Sequence, residues 1–337
     1  MRKWFVLVLL GAVLTPQPHE AQQNSGTLLS LLASQGLAGA KLERRFGNHL
    51  FVPVSINNQR AALMIDTGAP VTLIDKNSVK TFGLRVENTT INVGGLFGRQ
   101  WERYGAAHAK TIAMGNCMLT NVEVALADES SMNPDLSGTT ETGSHLSRLR
   151  RMPHLNGLLG AHEMHEFGMI IDCTRQMLYV NPNGPTAAAS QKVAEFLGGR
   201  GFTRVAMRRT ANGHLDVPGS LNGHATRFIV DTGSSVTALD KRTAVAAGVG
   251  IGGTQYAASS GGRLQAVGDA VVKDLKIGDF AIANAEAVVV TLSSEVSQAA
   301  DTEESNAGLL GAEYLGFNFA VIDAGGMALY LRHPDSR

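Results

Sequence analysis

Short apolar runs closed by Gly, Asn or Pro recur along this chain, with Val- and Thr-containing segments between them. That pattern predicts short strands joined by tight turns. Leu50–Ile56 and residues 61–65 read as two strands across the turn Asn57-Asn58. The apolar run before Asp231 follows Asn222-Gly223, a stronger hairpin signal of the same kind. A short helix is predicted over 75–82 and again over 240–247. Each runs into a glycine, Gly83 and Gly248, where a helix end favours a left-handed residue. Another strand and turn pair is expected around Gly115 and around Gly278. Residues 25–45 read as an N-terminal extension with helical character.

These pairings reflect an internal duplication. Residues 52–83 align without a gap on 217–248, at an offset of 165, and 12 of the 32 positions are identical. A second block, 157–179, matches 308–330 at an offset of 151, sharing Gly-Leu-Leu-Gly-Ala, an Ile-Asp pair and a Leu-Tyr pair. The smaller offset places extra residues in the first copy, assigned to 128–156, a polar stretch holding the basic run 148–151. Its counterpart, 293–306, is shorter and acidic, and both read as surface loops. The repeat is far longer than the roughly 50-residue units of solenoids, so it implies two similar domains. Between them, residues 181–190 are rich in Pro, Gly, Asn and Ala, as in a linker. The expected plan is a signal segment at 1–21, an extension outside the repeat at 22–45, a first lobe at 46–181, a linker at 182–200 and a second lobe at 201–337.

Composition narrows the function classes. The 337 residues are 44% hydrophobic and 17% charged, which suits a folded protein with two cores. Formal net charge is zero, so no cationic excess argues for a nucleic-acid partner. Arg2 and Lys3 precede an apolar or small-residue run from Trp4 to Leu14. That run is too short to span a bilayer and reads as an export signal, with processing near Ala21 despite His19. The expectation is a periplasmic or secreted protein with no stable membrane span once the signal is removed. Cys117 and Cys173 leave two readings open, one disulfide or two buried thiols.

The candidate chemistry lies in Asp-Thr-Gly, which occurs at Asp66-Thr67-Gly68 and at Asp231-Thr232-Gly233. A given tripeptide arises by chance about once in several thousand positions. Two copies at matching places in a duplicated domain, each after an apolar strand, argue for selection. Two carboxylates held about 3 Å apart share one proton, because both cannot ionise cheaply. The ionised member can accept a proton from water and the protonated member can donate to a carbonyl oxygen. Gly68 and Gly233 allow close backbone approach, and the Thr67 and Thr232 hydroxyls can brace the two loops.

From residue 46 to about residue 332, the chain resembles the aspartic proteases, the retropepsin-like branch in particular. The resemblance rests on apolar-Asp-Thr-Gly early in each copy and on Leu158-Leu159-Gly160 and Leu309-Leu310-Gly311 late in each copy. It implies an all-β protein of two pseudo-symmetric retropepsin-like lobes with a cleft between them, and Asp66 and Asp231 as the catalytic pair. The late motifs are expected to pack beside the catalytic loops. A monomer with an intrachain pseudo-dimer, a peptide or protein substrate and no cofactor or metal are the accompanying expectations. Glycine-rich flaps are expected over 90–105 and 254–268, on Gly94-Gly95 and Gly261-Gly262, with ordinary packing roles for Trp101, Tyr104 and Tyr256.

One departure stands out. Ala69-Pro70 follows the first motif and Ser234-Ser235 the second. A Ser234 hydroxyl on the Asp231 carboxylate would make Asp231 the ionised member, whereas Ala69 has no hydroxyl. His162-Glu163-Met164-His165-Glu166 has the wrong spacing for a helical zinc motif, and Ser144 and His145 lie in no nucleophile-elbow pattern. Three readings follow: an endopeptidase, a catalytically weak or inactive peptide-binding protein of the same fold, and a single active lobe that homodimerises.

Overall fold

The computed structural model describes residues 26–45, 48–94, 101–128, 155–258, 264–292 and 306–334. The signal segment 1–21, the flap tips 95–100 and 259–263, with Gly95, Gly261 and Gly262, and nearly all of the two expected surface loops lie outside these residues, as do the Trp101 and Tyr256 side chains.

The first half runs α1 (Leu28–Ser34), β1 (Ala38–Lys41), β2 (Glu43–Arg44), β3 (Leu50–Ile56), β4 (Gln59–Ile65), β5 (Leu73–Asp75), α2 (Val79–Phe82), β6 (Arg85–Gly94), β7 (Trp101–Met114), β8 (Cys117–Ala127), β9 (Gly157–Leu159), α3 (Ala161–Glu166), β10 (Ile170–Asp172) and β11 (Met177–Val180). The second half follows the same order: α4 (Ala187–Gly198), β12 (Thr203–Ala206), β13 (Arg208–Arg209), β14 (Leu215–Leu221), β15 (His224–Val230), β16 (Ala238–Asp240), α5 (Lys241–Ala246), β17 (Ile251–Ala258), β18 (Leu264–Ile277), β19 (Phe280–Val290), β20 (Asn306–Leu310), α6 (Ala312–Phe317), β21 (Val321–Asp323) and β22 (Ala328–Leu331). The fold is all-β, with two pseudo-symmetric lobes.

Each lobe is an eight-stranded sheet, β2-β3-β4-β9-β5-β8-β7-β6 and β13-β14-β15-β20-β16-β19-β18-β17. A third sheet, β1-β11-β10-β21-β22-β12, takes three strands from each half, and its centre is the antiparallel pair β10–β21. One apolar core cluster runs through both lobes, from Val52 and Ile65 to Val217 and Val230.

The predicted turns form for the expected reasons. Asn57 and Asn58 have φ of 47° and 69°, and Asn222 and Gly223 have φ of 47° and 86°. Such values at both central residues give the primed turns that match strand twist. Asn57 also donates to the Phe82 carbonyl at 2.8 Å and accepts from the Thr111 amide at 2.9 Å, tying turn, helix and β7 together. Asn222 repeats this with the Ala247 carbonyl and the Asp274 amide. Asp75 and Asp240 cap the helical turns that follow them, and Gly83 ends α2 at φ 56°.

The two ends of the plan differ from the sequence reading. Residues 26–45 are not outside the repeat: α1, β1 and β2 occupy the places that α4, β12 and β13 hold in the second half. Residues 182–200 carry α4, which Thr186 caps and which buries Ala189, Val193 and Leu197 four residues apart. Together α1 and α4 cover the six-stranded sheet through an apolar cluster with Leu32, Tyr179 and Tyr330. Pro and Gly at 182–185 signalled a linker, but the four-residue apolar spacing just beyond them signalled a helix.

Candidate active site

Asp66 and Asp231 each stand one residue past a strand, β4 and β15, that pairs in parallel with the late strand of its lobe, β9 and β20. In register, Met64 faces Leu158 and Ile65 faces Leu159, while Ile229 faces Leu309 and Val230 faces Leu310. The Asp66 amide donates to the Leu159 carbonyl and the Asp231 amide to the Leu310 carbonyl, both at 3.0 Å. Leu158 and Leu309 turn to apolar clusters in their own lobes. The late motifs therefore fix where each strand ends.

The two loops interlock through their threonines. The Thr67 hydroxyl donates to the Val230 carbonyl at 2.7 Å and accepts from the Thr232 amide at 3.0 Å. The Thr232 hydroxyl donates to the Ile65 carbonyl at 2.7 Å and accepts from the Thr67 amide at 3.1 Å. All four bonds are buried and cross between lobes. The glycines come so close to the opposite carboxyl that no side chain fits: a Cβ on Gly68 would stand 2.4 Å from Asp231 Cγ, and one on Gly233 the same distance from Asp66 Cγ.

The Asp66 and Asp231 carboxyls face each other across the two loops within one chain, each lying against the glycine of the opposite loop and each shifting the titration of the other. Asp66 Oδ1 accepts from the amides of Gly68 at 3.0 Å and Ala69 at 3.1 Å. Asp231 Oδ1 accepts from those of Gly233 at 2.9 Å and Ser234 at 3.0 Å. Burial, with 8% and 4% of the two residues exposed, raises both carboxyls above the usual range. Asp66 rises to about 6, held back by the Ala69 and Gly68 amides. Asp231 rises further, because the Asp66 charge adds to its burial. With both carboxyls raised and each feeling the other, the pair holds one proton over a wide pH range.

The Ser234 hydroxyl does not make the bond expected of it. It turns away and donates to the Val236 carbonyl at 2.7 Å. Only the Ser234 amide reaches Asp231, and the Ala69 amide does the same for Asp66, so the hydroxyl gives no asymmetry.

Two supporting groups escaped the sequence reading. Glu163 accepts from the Thr72 amide at 2.8 Å and hydroxyl at 2.6 Å, and that hydroxyl accepts from the Gly160 amide at 3.0 Å. Glu313 accepts from the Thr237 amide, and the Thr237 hydroxyl accepts from the Gly311 amide at 3.0 Å. Burial raises both glutamates. The signal was present as a Thr six residues after each Asp and a Glu shortly after each late Gly, three residues after Gly160 and two after Gly311. Of the neighbouring histidines, His165 Nδ1 meets the Ala324 carbonyl and His162 Nδ1 accepts from Arg209, so the three side chains diverge.

Hairpins β6–β7 and β17–β18 occupy the flap positions, and Tyr104 packs against the apolar cluster of Phe51, Met64 and Leu158. Cys117 and Cys173 are both buried free thiols, and burial pushes Cys173 up to about 12.

The family model for aspartyl proteases matches residues 52–162 and 217–314. The chain belongs to the aspartyl protease family. The matched segments contain both Asp-Thr-Gly loops and both late motifs of this family member. No curated protein matches the chain by sequence. Among solved structures, an aspartic proteinase from Irpex lacteus is similar at 13% identity and TM-score 0.46, over 89% of this chain and 98% of that one. Basic 7S globulin from soybean is similar at 8% identity and TM-score 0.46, over 88% and 94%.

Proposed function

We propose that this family member is an aspartic endopeptidase whose catalytic pair, Asp66 and Asp231, is completed within one chain. The close approach of the two buried carboxyls within one chain supports this reading above all. In the proposed cycle the Asp66 carboxylate takes a proton from a water held between the two groups. The protonated Asp231 donates to the carbonyl oxygen of the scissile peptide bond. Water attacks directly, so a tetrahedral intermediate forms without an acyl-enzyme. The C–N bond then breaks as Asp66 gives its proton to the leaving amine and a hydroxyl of the intermediate returns a proton to Asp231, which restores the pair. We also propose export to the periplasm or outside the cell, on the strength of Arg2, Lys3 and the apolar run to Leu14.

Replacing Asp66 or Asp231 by Asn removes one proton-transfer partner, so peptidase kcat is expected to fall at least 10²–10⁴-fold, the usual range for such a group. Mixing the two inactive variants separates pairing within a chain from pairing between chains. The mixture is expected to stay inactive. Recovery of activity would place the working pair between two molecules.

A further inference from the structure

The chain carries a histidine one residue before β3 and another one residue before β14, His49 and His214, separated by the same 165 residues as the two Asp-Thr-Gly motifs. Both cross to the catalytic loop of the opposite lobe. His49 Nε2 lies 3.1 Å from the Ser235 hydroxyl. His214 Nδ1 lies 2.7 Å from the Gly68 carbonyl. A carbonyl can only accept, so the His214 proton sits on Nδ1. Its Nε2 is buried without a hydrogen-bond partner among the described residues.

The peptide unit that His214 meets has a second end. The Gly68 carbonyl and the Ala69 amide belong to one plane, and the Ala69 amide donates to Asp66 Oδ1 at 3.1 Å. A relay therefore runs from the His214 ring through one rigid peptide to the Asp66 carboxylate, and hydrogen bonds in such a chain polarise one another. We propose that His214 is a positioning residue for Asp66: from the second lobe it grips the Gly68–Ala69 peptide unit and aims the Ala69 amide at the carboxylate. The loop of Asp231 meets His49 at the Ser235 hydroxyl and near the Thr232 backbone, so the two histidines engage their loops at different points.

The ring is suited to a neutral donor. It is 2% exposed, and burial lowers it to about 4 against the opposing pull of the Gly68 carbonyl and of Asp216 in β14. Asp216 is already engaged by Arg208 at 3.0 Å and Arg227 at 2.7 Å. On the other side, the hairpin turn is seated against the first lobe, where Gly213 abuts Pro70.

The inference rests on the proposed role of Asp66, but its test does not need turnover. Carbon NMR of isotope-labelled aspartates follows the pair's titration, and nitrogen NMR reads the His214 tautomer in the wild-type chain. The Nδ1–H tautomer is expected; an Nε2–H ring would overturn the proposal. In His214→Ala the lower apparent pKa of the pair is expected to rise by about one unit, because the carboxylate loses a well-aimed donor. If the chain is a peptidase, the acid limb of its rate profile rises in step. His214→Asn, whose amide nitrogen takes the place of Nδ1, is expected to restore both. His214→Gln, which moves the donor outward, is not. A folded His214→Ala with an unshifted titration would overturn the proposal. Should His214→Ala fail to fold, equal titrations in His214→Asn and His214→Gln would overturn it as well. If the wild type has no peptidase activity that Asp66→Asn abolishes, the endopeptidase reading fails, and the titrations still decide the role of His214.

Discussion

At the scale of single residues, the site depends on hydrogen bonds that cross between lobes. Thr67 makes two of them through one hydroxyl. Thr67→Val keeps the shape but leaves the Val230 carbonyl and the Thr232 amide buried without those partners. A loss of about 1–3 kcal/mol per orphaned group is expected, read from denaturant unfolding, with Thr67→Ser restoring most of it. The carboxyl pair sets the pH dependence. In the proposed cycle one carboxyl is ionised, assigned to Asp66, and the other protonated, assigned to Asp231. Asp66 ionises near about 6 and Asp231 well above its usual range. Activity is thus expected to rise as pH passes about 6, hold near neutrality and fall when Asp231 loses its proton. A kcat/KM profile that peaks near pH 4 would contradict this order. Ala69→Ser is expected to leave the profile nearly unchanged, because the equivalent Ser234 hydroxyl bonds the backbone and not the carboxyl.

At the scale of elements, the strand ends that hold Asp66 and Asp231 were legible because short motifs fix them. Apolar-Asp-Thr-Gly ends one strand, and Leu-Leu-Gly ends the parallel neighbour. The helix α4 was not read, since Pro and Gly just before it outweighed the spacing of Ala189, Val193 and Leu197. Its place over the six-stranded sheet makes it part of the core. Leu197→Ala in this cluster is expected to cost about 2–5 kcal/mol in urea unfolding, as for other large-to-small core changes. A cost below 0.5 kcal/mol, typical of surface positions, would return the segment to the status of a linker.

At the scale of the whole molecule, the lobes share more than the threonine interlock. β10 and β21 join them in one sheet, pairing Ile170 with Asp323, Ile171 with Ile322 and Asp172 with Val321. The Cys173 amide donates to the Ala320 carbonyl and the Ala324 amide to the Met169 carbonyl, extending that seam. The apolar core also continues from one lobe to the other. Calorimetry is therefore expected to show one cooperative transition with matching calorimetric and van't Hoff enthalpies. Two resolved transitions would mean that each lobe folds alone.

Sequence alone determined what is local or repeated. The duplicated Asp-Thr-Gly and Leu-Leu-Gly motifs fixed the all-β class, the two-lobe plan and the candidate pair Asp66 and Asp231, because a turn, a strand end and a repeat are written in contiguous residues. Tertiary structure decided what depends on contacts between distant segments. The direction of the Ser234 hydroxyl, the raised titration of the buried pair and the burial of Glu163 under Thr72 follow from packing that no local spacing encodes. His214 belongs to the same class. It stands 146 residues from the Gly68 carbonyl that it meets, and only the closure of one lobe on the other brings the two within hydrogen-bonding distance.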